Sequence, residues 1–304
     1  MYQALRSFLE SVVGEQNIRQ DEPMDRHTSF RTGGNAACFI EPENAEQLAK
    51  VLSYLQKTEQ DYFVLGNGSN LLVSDLGYDG VVIYIGDKMS KICVDGSRIT
   101  VQAGALLSQT AHAAMEAGLT GMEFASGIPG SIGGAMMMNA GAYDGEMSRI
   151  VEFVTVLDPS GESMILENET MEFGYRTSIL KNRPFVVTEV TLRLQEGDRE
   201  QIQAKMADFA ARRREKQPLN YPSAGSTFKR PEGYFAGKLI MDSGLRGYRI
   251  GGAQVSEKHC GFIINSGNAT SEDISELMDE VIQRVKERFG VTLEPEVIRL
   301  GRFG

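Results

Sequence analysis

The chain is poor in the groups that bind metals or cross-link a fold. Its three cysteines, Cys38, Cys93 and Cys260, and its three histidines, His27, His112 and His259, are scattered over 304 residues. None shows metal-ligand spacing, and three distant thiols make no disulfide framework. Buried, reduced thiols of a cytosolic protein are the simplest reading. Positive charge is also short: the net charge is −10. That excludes a sequence-independent nucleic-acid binder, which needs a basic face, but not a local basic pocket for a small anion. No apolar run approaches the roughly 18 residues that span a membrane. The opening MYQALRSFLESVV reads as a mixed-charge amphipathic segment rather than a signal peptide. Internal repeats and low-complexity tracts are missing.

Glycine, by contrast, is concentrated in two places. Residues 121–143 read GMEFASGIPGSIGGAMMMNAGAY, and Gly66-Asn67-Gly68-Ser69-Asn70 follows the apolar run Tyr62-Phe63-Val64-Leu65. Glycine loses the most backbone entropy on folding, so such stretches make poor helix and poor strand. They suit loops whose successive bare N–H groups form concave nests for phosphate oxygens. Two of them point to a dinucleotide gripped from two sides; the alternative is a pair of structural turns.

The length allows two domains or one large one. Apolar spacing predicts helices over 3–13, 44–58, 106–117, 198–217 and 271–289. Asn44 caps the second, Gly118 and Gly290 close the third and fifth, and Pro218 stops the fourth. Strands are predicted at 62–65, 81–85, 99–103, 153–158, 185–194, 261–265 and 291–297, with a turn at 159–161. A boundary falls near 196–200.

Few residues offer chemistry. Ser226, in the small-residue turn PSAGSTFK, reads as a nucleophile, a proton donor or a turn-forming hydroxyl. The nucleophile elbow G-x-S-x-G is missing, because Phe228 stands where its second glycine belongs. Arg176, in GYRTS, can fork onto a carboxylate or be an ordinary surface arginine. Glu296, in LEPEV, is either a strand-end surface residue or an inward carboxylate in a strand whose Val297 and Ile298 read as buried. Lys216 and the three arginines before it can neutralise a diphosphate, or simply complement the end of a helix.

In chain order the motifs are HTSFRTGG (27–34), GNGSNLL (66–72), GIPGSIGGA (127–135), NAGAY (139–143), GYRTS (174–178), SAGSTFKRP (223–231) and EPEV (294–297). Each is modest alone. Seven in this order, over about residues 20 to 300, resemble the UDP-N-acetylenolpyruvoylglucosamine reductase family, flavoproteins of bacterial peptidoglycan precursor synthesis. The resemblance implies an α+β fold. Residues 1–196 would be an FAD-binding domain of the vanillyl-alcohol-oxidase/PCMH type, with two α+β subdomains at about 20–88 and 89–196. Residues 197–304 would be an α+β substrate-binding domain. It is not a Rossmann fold, since no G-x-G-x-x-G follows the first strand.

Carried over by position, the resemblance makes Ser226 the proton donor and places Arg176 and Glu296 beside the substrate carboxylate. Lys216, Lys229 and Arg230 approach the substrate diphosphate; Arg230 stands where some relatives have asparagine. Non-covalent FAD would be held by Gly66, Asn67, Gly68, Ser69, Asn70 and Leu71 in the first loop. In the second it would meet Gly127, Ile128, Pro129, Gly130, Ser131, Gly133, Gly134 and Ala135, then Asn139 and Gly141. Neither loop contains the histidine or cysteine that covalent attachment uses. Residues 177–183 run almost directly into the strand at Phe185, as in the shorter-loop form of the family.

The resemblance further implies that NADPH is the hydride donor and UDP-N-acetylglucosamine-enolpyruvate the substrate. It implies no metal, no nucleic-acid or membrane partner, a monomer, and a cytoplasmic location. Two other readings are an oxidase of the same flavin fold, which would need a base for substrate oxidation, and a non-catalytic nucleotide-sugar sensor. The set Arg176, Ser226 and Glu296 fits reduction of an acidic alkene better than either.

Overall fold

The computed structural model describes residues 2–304. By compactness the chain forms two units. The first runs up to Gln20 and adds Cys38–Asn67 and Gly80–Ala211; the second comprises Asp21–Ala37, Gly68–Asp79 and Arg212–Gly304. The division at 196/197 expected from the sequence concerns which part holds which substrate, a separate matter from compactness.

In the first unit, helix α1 (Tyr2–Val13) meets helix α2 (Ala45–Lys57), with the Phe8 and Tyr54 rings stacked at 3.8 Å. Asn44 is extended, and its side chain accepts the Gln47 amide at 2.9 Å, which starts α2. Leu48, Val51, Leu52 and Leu55 form its buried stripe. Strand Tyr62–Leu65 runs parallel to Tyr78–Tyr84, in a sheet extended by Asn35–Ile40 and Ile18–Pro23. A second sheet is wholly antiparallel, in the order Ser163–Glu167, Val151–Leu157, Val186–Arg193, Arg98–Gln102, Ile92–Asp95. Val101, Val154, Val190 and Leu192 join its core to helices α3 (Leu107–Glu116) and α4 (Ile132–Met138). Helix α5 (Arg199–Lys216) buries Ile202, Met206 and Phe209, as its spacing predicts.

The second unit holds helix α6 (Ala236–Asp242), helix α7 (Ser271–Phe289) and an antiparallel sheet of Arg249–Ile250, Ala253–Val255 and Ile263–Asn265. Strand Ile298–Leu300 lies parallel to Leu71–Val73. The α7 N-terminus has a Thr270/Asp273 capping box. In addition, Asp75 accepts the Ser271 and Glu272 amides at 2.9 and 3.0 Å, a carboxylate on the positive end of the helix.

The structure departs from expectation at four points. The stretch 121–143 is not all loop: Ser131 nucleates α4 within it. Residues 291–297 form no strand, because Pro295 offers no N–H; the strand begins at Ile298, which is 39% exposed rather than buried. Strands Ile18–Pro23 and Asn35–Ile40 lack the alternation that marks a strand in sequence. Cys93 is exposed, while Cys38 and Cys260 are buried. Burial pushes the Cys38 thiol up to about 11 and raises that of Cys260.

Three charges tie the antiparallel sheet together. Glu152 takes two bonds from Arg98, each 2.8 Å, and two from Arg193, at 2.6 and 3.1 Å. Hydrogen bonds from Arg98, then Arg193, lower its pKa to about 2. A depressed carboxylate adds stability above its unfolded value of about 4.3, and the contribution fades as pH falls from there toward the folded value. Thermal melts should therefore place Glu152→Gln below wild type at pH 7, with the gap closing as the pH nears about 2. A gap independent of pH would mean that the four bonds contribute nothing through charge.

Candidate active site

Within the first unit the two glycine-rich stretches are pressed together. The Asn67 side-chain amide donates to the Pro129 carbonyl at 3.0 Å. Gly66 faces Ser131 so closely that a Cβ would lie 2.3 Å from Ser131 Oγ. Ser131 is itself buried and caps α4, its Oγ accepting the Gly134 amide at 3.4 Å.

The amides of the two stretches are spent differently. Among the described residues, those of Gly66, Asn67, Gly68, Ser69 and Asn70 donate to no protein acceptor. Five successive amides after a strand end fit an anionic diphosphate, and with it FAD. At the start of α4, by contrast, Ile132 donates to the Ala105 carbonyl and Gly133 to that of Ala103, both at 2.8 Å. The second stretch therefore offers shape more than amides.

Asn139 ends α4 in the left-handed region at φ 41° and is 2% exposed. Its side chain accepts the Ser148 amide at 2.9 Å and donates to the Gly174 carbonyl at 3.2 Å. That second bond holds the turn bearing Arg176. Gly174 and Thr177 exchange backbone bonds of 3.1 and 3.3 Å, and Arg176 stands between them at φ 56°. A left-handed arginine is uncommon; glycine or asparagine suits the position better. The guanidinium lies 5.3 Å from the Tyr175 ring, with one nitrogen 3.4 Å from the Gly141 carbonyl.

The second unit brings Ser226 and Glu296 onto neighbouring segments. Thr227 donates its amide to Gly261 at 2.8 Å, and its carbonyl accepts the Glu296 amide at 2.9 Å. Lys229 donates to the Glu294 carbonyl at 2.8 Å, so Phe228 bridges Pro295. Ser226 is exposed at the tip and Glu296 half-buried. Asn70 reaches the same place, its side chain donating to the Glu296 carbonyl at 2.9 Å. Gly68 is seated against His27, where a Cβ would lie 1.8 Å from the carbonyl oxygen. The Ser29 amide donates to the Gly68 carbonyl at 3.1 Å. HTSFRTGG thus shapes the first glycine loop.

The three cations expected at the diphosphate are in different situations. Lys229 pairs with Glu294. Arg230 lies 4.0 Å from the Phe235 ring and donates to the Tyr234 carbonyl at 3.3 Å. Lys216 is exposed at the end of α5. His259 accepts the Gly261 amide on Nδ1 at 3.1 Å, and burial lowers its pKa, so it serves the Thr227 loop as a neutral acceptor. Thr227, Asn139 and His259 are polar residues whose positioning roles the motifs do not announce; Thr227 and Asn139 act through partners distant in sequence, His259 on the amide two residues on.

The chain has an α+β fold with an FAD-binding domain of the vanillyl-alcohol-oxidase/PCMH type. A family model described as an FAD binding domain matches residues 36–167. The structure is similar to 4-ethylphenol oxidase from Gulosibacter chungangensis, with TM-score 0.50 and 16% identity over 64% of this chain and 42% of that one, a likeness of fold alone. Residues 217–300 match the model of the UDP-N-acetylenolpyruvoylglucosamine reductase C-terminal domain. The chain is 49% identical to the UDP-N-acetylenolpyruvoylglucosamine reductase of Caldanaerobacter subterraneus subsp. tengcongensis, over 99% of both sequences. It is also similar to the crystal structure of that reductase from Thermus caldophilus: TM-score 0.80, 37% identity, 93% of this chain and 98% of the other covered. The chain belongs to the UDP-N-acetylenolpyruvoylglucosamine reductase family.

A methyl group at position 68 tests the seat of the glycine loop. Gly68→Ala must both adopt φ 59° and displace the His27 carbonyl. Such a residue costs about 1–3 kcal/mol from backbone strain alone. Denaturant melts should show at least that loss, and the purified variant should retain less flavin. Unchanged stability and flavin content would mean that the contact with His27 relaxes without consequence.

Proposed function

We propose that this protein reduces the enolpyruvyl group of UDP-N-acetylglucosamine-enolpyruvate to give UDP-N-acetylmuramate for peptidoglycan, as a cytoplasmic monomer. In this reading residues 1–196 hold FAD and residues 197–304 the sugar nucleotide. FAD, when bound, supplies the hydride, which NADPH delivers to it. The first glycine loop, Gly66–Leu71, would hold the cofactor diphosphate through its amides. Residues 127–131, 133–135, Asn139 and Gly141 would complete that surface by shape.

The chain's own residues have distinct tasks. An enol ether bearing a carboxylate is weakly polarised and accepts hydride only when its carboxylate is made electron-withdrawing. Arg176 does this by a charge-assisted fork, which strengthens as enolate charge develops on the same oxygens. Glu296, in its protonated form, donates a second hydrogen bond there. Ser226 then gives its proton to the adjacent carbon and sets the stereocentre. Serine is a weak acid, so it serves only with a strongly basic enolate in a site from which water is excluded. Lys216, Lys229 and Arg230 would meet the diphosphate of the sugar nucleotide, Lys229 by exchanging Glu294 for phosphate.

The observation that carries this reading is the backbone bond from Glu296 to Thr227, which ties the carboxylate segment to the serine turn in one compact unit. Anaerobic stopped-flow absorbance tests it, with NADPH added first and the enolpyruvyl sugar nucleotide second. NADPH should bleach wild type and Ser226→Ala alike. Only wild type should then regain its colour quickly, with the variant slower by about 10²–10⁴-fold, the usual worth of a general acid. Wild type that recovers only with oxygen would point to an oxidase, and wild type that binds no flavin to a sensor.

A further inference from the structure

We propose that Thr227 is the positioning residue for Ser226 and Glu296, an inference that rests on the reading of Ser226 as proton donor. Thr227 is fully buried, at 0% exposure, and all its polar groups are bound within the protein. Its amide donates to Gly261, its carbonyl accepts from Glu296, and its hydroxyl oxygen accepts the Ile263 amide at 3.0 Å. Ile263 is 1% exposed, so water offers that amide no alternative. The backbone bonds are open to any residue; the hydroxyl bond is not.

Upstream the turn is anchored at Ser223, which bridges Ile264, and at Pro222, whose carbonyl accepts the Asn265 amide at 2.9 Å, but a glycine separates that anchor from Ser226. Gly225 stands at φ 76°, and nothing lies within 4 Å of the place a Cβ would take. Ser226 is therefore steadied from the Thr227 side. His259 supports the same loop, accepting the Gly261 amide. On the side adjoining Ser226, the hydroxyl ties the serine turn to the strand Ile263–Asn265, beside the Ser223–Ile264 bridge, and the adjoining carbonyl ties it to the Glu296 segment. Proton transfer is sensitive to such placement: a shift of about 1 Å can cost about 10²-fold in rate.

Two substitutions separate the bond from the packing. Thr227→Val keeps the shape and loses the acceptor; Thr227→Ser keeps the acceptor and loses a methyl group. Hydrogen–deuterium exchange without substrate should show faster exchange at Ile263 and Glu296 in Thr227→Val than in Thr227→Ser. In stopped-flow, NADPH should bleach both variants at the wild-type rate. Reoxidation by the enolpyruvyl sugar nucleotide should fall about 10- to 100-fold in Thr227→Val, with KM little changed, and stay near wild type in Thr227→Ser. Thr227→Ala provides a second test if the valine variant does not fold: its rate follows the valine prediction if the bond decides.

Wild-type reoxidation in Thr227→Val, or equal slowing in Thr227→Ser, overturns the proposal. Ser226→Ala measured alongside keeps the two readings apart. If it is as fast as wild type, the proton-donor assignment falls. If it is slow while Thr227→Val is fast, only the role of Thr227 falls.

Discussion

Close backbone approach is the constraint on which the site depends. Gly66 lets Ser131 Oγ come within a distance that no side chain would permit, and Gly68 lets the His27 carbonyl do the same. Among the described residues, the five amides from Gly66 to Asn70 donate to no protein acceptor. Neither contact contributes much energy by itself. Both fix a stretch of chain that has almost no side chains with which to fix itself.

The polar network works by the same economy in the second unit. Thr227, Asn70 and the backbone of Glu296 meet through bonds of 2.9 Å, without an ion pair between them. Neutral bonds between buried backbone groups are directional and cannot be exchanged for water, so they locate atoms better than surface charges do.

The helices were legible in the sequence because each combines a repeating apolar stripe with a chemical stop: Asn44 before α2, Gly118 after α3, Gly290 after α7. Strands Ile18–Pro23 and Asn35–Ile40 were not, since what makes them strands is their neighbours in the sheet rather than alternation of their own. The C-terminal strand was displaced by a residue class: Pro295 removes a donor in the middle of the expected strand, which begins instead at Ile298. Contiguous domains could not be read as compact units either, because short segments such as 21–37 and 68–79 pack with the C-terminal third. In the site, the residues that bear chemistry were named by motif order. Thr227 and Asn139 do their work through hydrogen bonds to partners 36 and 35 residues away, for which no local spacing exists.

Arg176 carries one more implication. Its backbone sits at φ 56°, where an arginine is strained and a glycine is at ease. The backbone therefore favours glycine at this position, against which stand the guanidinium's contacts with the Gly141 carbonyl and the Tyr175 ring and the part in turnover proposed for it. If the proposed role holds and the strain outweighs those contacts, sorting for thermal tolerance and sorting for growth pull in opposite directions at a single codon.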